Sequence, residues 1–130
     1  MKKRAGSPAL PGKIRIAVVD TSPEIHAAIA SLLEGESGVE IVRRARSLGE
    51  FADLTDRSVN VVVAELRTCI GEDRGALEAL RERCPKVRLI ITTSNEGREY
   101  EDAARRLAAD GWVPKTRLAH DLLMTLRRIA

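Results

Sequence analysis

Five apolar runs rich in β-branched residues recur along the chain, each followed by a stretch of helical periodicity, and this alternation restricts the fold more than any other feature. The runs are Ile14 to Val19, Val39 to Val42, Asn60 to Leu66, Val87 to Thr92 and Gly111 to Pro114. The third and fourth are almost continuously apolar, as strands buried on both faces must be. Ile25, Ile29, Leu32 and Leu33 fall at helical spacing, as do Leu77, Leu80 and Cys84. So do Tyr100, Ala103, Ala104 and Leu107, and finally Leu118, Leu122, Leu126 and Ile129. Strands separated by helices predict a parallel sheet, because each right-handed crossover carries a helix across one sheet face. The expected fold class is therefore α/β, a doubly wound (βα)5 three-layer sandwich.

Local punctuation agrees with that reading. Ser22, Pro23 and Glu24 form an N-cap, a first-turn proline and a first-turn acid, and Pro85 stops the third helix. Ser47 with Glu50 predicts a capping box for a short second helix presenting Leu48, Phe51 and Leu54. The segment from Leu66 to Asp73 reads as a polar loop, and Ser94 to Gly97 as a polar helix entry.

A chain of 130 residues fits one domain, taken as residues 13–130 behind a flexible leader, residues 1–12. The leader has Lys2, Lys3 and Arg4 but no apolar core of a signal peptide, and no segment approaches a membrane span. Cys69 and Cys84 show neither metal spacing nor a disulfide framework. They read as reduced thiols, Cys84 packing as a small apolar group, and a cytoplasmic location is expected. Aromatic residues make up 2% of the chain, which leaves an aliphatic core and no stacking platform for single-stranded nucleic acid. The net charge of +3 is dispersed over the chain, as on a solvated surface. His26 and His120 lack acidic partners at ligand spacing and are expected to face solvent.

In open α/β sheets ligands bind beyond the carboxyl ends of the strands. That rule selects Asp20 and Thr21 after the first strand, Glu65 ending the third, Thr93 and Ser94 after the fourth, and Lys115 after the fifth. Each could merely terminate its strand; together they form a candidate site.

Five pieces in register carry a family resemblance: Ile16 to Asp20 with Pro23, Val61 to Arg67, Leu77 to Arg81, Val87 to Thr93, and Ala109 to Lys115. The stretch from Lys13 to Ile129 resembles the receiver domain of two-component response regulators, of the type that precedes a helix-turn-helix output domain. The resemblance implies a flavodoxin-like sheet of order 2-1-3-4-5. It also implies an acidic pocket at Asp20 and Thr21, a phosphoacceptor position at Glu65, and switch positions at Thr93, Trp112 and Lys115. Two of these depart from the family pattern. Thr21 stands where a second acid would help hold Mg²⁺, and Glu65 is one methylene longer than the usual Asp. Mg²⁺ demands near-ideal octahedral oxygen geometry, and a misplacement of about 1 Å can cost roughly 10²-fold in rate.

The resemblance with these departures implies an atypical receiver: a non-enzymatic signalling and protein-interaction module without Asp phosphorylation, and with no cofactor. Glu65 would reach toward Lys115 and Thr93, either as a partial phosphoryl mimic or as a plain ion pair. Homodimerisation is expected through the fourth helix, fifth strand and fifth helix, or through the first and fifth helices. Transcription control would come from a DNA-binding output domain outside these residues, attached or separate. No membrane or small-molecule substrate is expected. Two alternatives stay open: a weakly phospho-accepting, metal-dependent receiver, and a flavodoxin-like small-molecule binder using the Thr21 and Thr93 loops.

Overall fold

Side chains alternate along each central strand between two apolar layers, and this period of two builds the molecule. The computed structural model describes residues 13–51 and 58–130, Glu72 by its backbone alone. The expected leader and Leu54 lie outside the described residues. The strands are β1 (Ile14–Val19), β2 (Val39–Ala45), β3 (Val61–Glu65), β4 (Arg88–Thr93) and β5 (Gly111–Pro114). The helices are α1 (Pro23–Leu33), α2 (Arg74–Arg83), α3 (Arg98–Arg106) and α4 (Leu118–Ile129). All strand pairs are parallel, and the sheet order is β2-β1-β3-β4-β5, as the resemblance implied.

Ile16, Val18, Val61, Val63, Ile90 and Val113 point to one side, where Ile29 and Leu33 of α1 and Leu118, Leu122 and Leu126 of α4 cover them. Ala17, Val19, Val62, Ala64, Leu89 and Ile91 point to the other, against Leu77 and Leu80 of α2 and Ala104 of α3. The chain order reverses between β1 and β3, so a crevice opens at their carboxyl ends.

Two local expectations are corrected. The second helical segment is, among the described residues, a single 3₁₀ turn, Leu48–Phe51, so four α-helices flank the sheet. Its side-chain cap is shifted by one residue: Glu50 Oε2 accepts from the Arg46 N–H at 3.0 Å, while the Glu50 N–H donates to the Ser47 carbonyl. The segment after β3 is not a polar loop but two 3₁₀ turns, Leu66–Cys69 and Gly71–Asp73, which bury Leu66, Thr68 and Cys69. Hydrophobic contact with the β3 layer outweighs the polar composition there.

The approach to β5 is tightly specified. Ala108, left-handed at φ 57°, ends α3, and Arg81 donates to the Leu107 and Ala108 carbonyls at 2.6 and 2.9 Å. Asp110 then extends the ladder, its N–H donating to the Leu89 carbonyl and its Oδ2 accepting from the Leu89 N–H at 2.8 Å. Gly111 follows with no room for a side chain: a Cβ there would sit 2.6 Å from Thr125 Cγ2 of α4. We expect Gly111→Ala to push α4 off β5 and cost about 1–3 kcal/mol in urea unfolding. A cost below about 0.5 kcal/mol would show that α4 does not depend on this close approach.

Candidate functional site

Asp20 ends β1 almost completely buried, at 2% exposure, and must find partners for both carboxylate oxygens. Oδ1 accepts from the Ser22 N–H at 2.8 Å. Oδ2 lies 2.9 Å from Lys115 Nζ, as an ion pair rather than an aligned hydrogen bond. Lys115 leaves the end of β5 with its side chain 17% exposed. Ser22 is also the N-cap of α1, its Oγ accepting from the Ile25 N–H, with Pro23 in the first turn. His26, one turn into α1, has Nε2 2.8 Å from the Asp20 carbonyl. A carbonyl only accepts, so Nε2 carries the proton. His26 is thus half-buried and bonded rather than solvent-facing, because α1 docks its first turn against the end of β1; His120 is exposed as expected.

Glu65 is also buried, at 8% exposure, but its carboxylate turns back on its own chain. Oε2 accepts from the Arg67 N–H at 2.7 Å, and Thr68 Oγ1 donates to the Glu65 carbonyl at 2.6 Å. Glu65 therefore caps the 3₁₀ turn that follows it. The ion pair that forms is Asp20–Lys115, not Glu65–Lys115. The local N–H two residues on satisfies the Glu65 oxygen, and Lys115 goes to the more deeply buried acid. Next to this turn, burial pushes the Cys69 thiol up to about 11, and the Glu65 and Asp73 charges add to the rise against the opposing Thr68 hydroxyl and Arg81. Cys69 is completely buried and Cys84 only half-buried.

Thr93 ends β4 at 1% exposure, and both functions of its hydroxyl are in use. Oγ1 donates to the Asn95 carbonyl at 2.6 Å and accepts from Trp112 Nε1 at 3.0 Å. Trp112 is turned inward, packed on the layer beneath α2 and α3, with its polar atom satisfied. Four residues further on, Thr116 Oγ1 donates to Glu96 Oε2 at 2.5 Å, tying the loop after β4 to the exit of β5 a second time. Thr21 and Ser94 are exposed. The structure thus brings together Asp20 with Lys115, and Thr93 with Trp112. Sequence reasoning missed Ser22 as a partner of Asp20, and His26, Asn95, Glu96 and Thr116. Only Ser22 carried a signal, its place two residues after Asp20, where a side-chain acceptor closes a turn.

Two measurements test this geometry. Lys115→Met should leave the buried Asp20 carboxylate uncompensated and cost about 3 kcal/mol in chemical denaturation, with less lost in Asp20→Asn/Lys115→Met. A loss under about 1 kcal/mol in the single variant would mean that water already compensates Asp20. For Cys69, the folded thiol holds its proton between its ordinary value of 9.0 and about 11, whereas the unfolded thiol releases it. The folded state then binds more protons, so stability should fall as pH rises through that window. Cys69→Ala should remove up to about 2–3 kcal/mol of that alkaline decline; identical slopes would contradict the burial of the thiol.

No protein-family model matches the chain. A protein-glutamate methylesterase/protein-glutamine glutaminase 1 from Paramagnetospirillum magneticum is 27% identical over 115 residues, covering 84% of this chain. The chain spans only 29% of that relative's length. Among solved structures, the complex of the P1 domain of CheA3 with CheY6 from R. sphaeroides holds a chain that superposes with TM-score 0.81 at 19% identity. That match covers 91% of this chain and 97% of the other. A LuxR-family two-component response regulator from Aurantimonas sp. SI85-9A1 gives TM-score 0.76 at 24% identity, covering 91% and 85%. The Salmonella typhimurium response regulator RcsB gives 0.75 at 19% identity, covering 90% of this chain and 61% of that one. With its parallel 2-1-3-4-5 sheet, this chain has the fold of response-regulator receiver domains.

Proposed function

We propose that the chain is a signalling module on a receiver fold, acting through protein contacts without accepting a phosphoryl group at residue 65. The observation that carries this reading is that the polar groups at the strand ends are already committed to one another. A phosphoryl group needs a cation and a hydroxyl proton. Lys115 is held by Asp20, and the Thr93 proton is given to the Asn95 carbonyl. Glu65, folded onto the Arg67 N–H, is not presented to either.

The same commitments argue against Mg²⁺. Among the described residues no group of three or more His, Cys, Asp or Glu side chains is placed to hold a metal ion. Asp20 faces an ammonium, Thr21 is an exposed hydroxyl in place of a second acid, and Glu65 is engaged. A hard divalent cation would have to displace Lys115 and recruit several oxygens at once.

In this reading the inward Trp112, rather than charge at Glu65, holds the output surface in one state. Its bond to Thr93, with the Thr116–Glu96 bond, fastens the loop after β4 to β5 and so positions α3. Output contacts would use α3, β5 and α4, or α1 and α4 in a homodimer. Met124 of α4 offers an apolar side chain at 70% exposure. RcsB, whose structure was studied for DNA interaction, and the LuxR-family regulator make transcription control through an output domain the favoured role. Methylesterase activity is not transferred, since the chain spans so little of that relative.

Incubation with Mg²⁺ and acetyl phosphate, followed by intact-mass measurement, should show no phosphoryl adduct. The emission of Trp112, the one tryptophan of the chain, should stay constant over the same titration. A stoichiometric adduct lost in Glu65→Gln would overturn the proposal.

A further inference from the structure

We propose that the amino-terminal end of the sheet is a second binding site, for an acidic peptide segment carrying an aliphatic side chain. A cleft of about 720 Å³ lies there, at the end of the strands opposite Asp20, Thr93 and Lys115. Ile14, Val59 and Val87 give it an apolar wall, and Lys13, Arg83, Lys86 and Arg88 bring positive charge, with no acidic side chain among the described residues that line it. An adjoining cleft shares Lys86 and Arg88 and adds Arg81 and Asp110. Among the described residues lining the two clefts, five basic side chains stand against one acidic, a larger surplus than the whole chain's +3.

Part of that charge has a purely structural origin. Helix carboxyl ends attract cations, and Arg81 and Arg83 lie in the last turn of α2. Arg81 is spent on the Leu107 and Ala108 carbonyls just past α3, and Arg83 donates to the Phe51 carbonyl. Lys13, Lys86 and Arg88 have no such explanation, since they lead into or begin strands. Arg88 lies 3.6 Å from Asp110, whose other oxygen is held by the Leu89 N–H. Lys13 and Lys86 are exposed and form no ion pair among the described residues.

The occupant follows from the lining. Unpaired ammonium groups beside an aliphatic wall suit carboxylates that flank a leucine-like side chain, with the charge at the rim and the apolar contact beneath. Among the described residues no aromatic side chain lines either cleft, which gives nucleobases no stacking partner there. Residues 1–12 contain three bases and no acid, so charge does not favour them as the occupant.

The test is an amide-shift NMR titration of the full chain with a short acetylated, amidated peptide of alternating Glu and Leu. A Lys-for-Glu peptide, inorganic phosphate and oligo-thymidylate serve as comparisons. Shifts should cluster at residues 13, 14, 59 and 83–88, weaken with added salt, and be absent with the Lys peptide. Lys13→Glu/Lys86→Glu, with a spectrum that remains folded, should weaken the peptide roughly tenfold. The proposal is overturned by absence of shifts with the Glu peptide, by equal binding to the charge-reversed variant, or by shifts confined to the Asp20–Lys115 end. Tighter binding of the oligonucleotide or of phosphate at this cleft would overturn the peptide assignment.

Discussion

The ion pair between Lys115 and Asp20 joins the end of β5 to the end of β1 across the two strands that separate them. A carboxylate buried to 2% exposure is costly to desolvate, and attraction to one ammonium only approximately offsets that cost. Its main effect is therefore specification. With Lys115 placed, the exit of β5 is set, and Trp112 and Thr116 of the same short segment meet Thr93 and Glu96 on the neighbouring loop. Ser22 carries the constraint from Asp20 into the start of α1, and His26 returns to the Asp20 carbonyl.

One consequence is that the crevice is satisfied from within. A threonine hydroxyl has one proton to give, and the proton of Thr93 goes to Asn95 while its oxygen takes the indole N–H. An incoming anion would compete with these bonds and with the buried ion pair for its contacts. The opposite end of the sheet is the reverse case. There Lys13 and Lys86 remain exposed, with no ion pair among the described residues. The two ends of one sheet thus differ in whether their charges have been neutralised internally.

Much of this architecture was legible in the residues because strands and helices differ in period. Val61, Val62, Val63 and Ala64 admit no solvent face, so a doubly covered strand was the consistent reading, and β1 and β5 fell at the expected boundaries. The second helical segment was not legible: a capping pattern reports only on its own few residues, and Leu48 and Phe51, each 2% exposed, are buried by a single 3₁₀ turn. Leu66 to Asp73 misled for a related reason. Its polar residues suggested solvent, but Thr68 bonds the Glu65 carbonyl and lies buried beside Cys69.

The order of residues by itself determined the parallel layered sheet and which side chains end its strands, since both follow from local periodicity and from the rule that ligating groups gather at strand carboxyl ends. The marking of Glu65, Thr21 and Trp112 as departures or a switch position came instead from the resemblance to receiver domains. Only the tertiary structure decided the pairing. Glu65, Asp20 and Lys115 are far apart along the chain, and spacing cannot say which acid an ammonium will choose. Burial and reach do so: Glu65 is satisfied by the N–H of its own turn, whereas Asp20, enclosed between β1 and α1, needs a cation from outside its own segment.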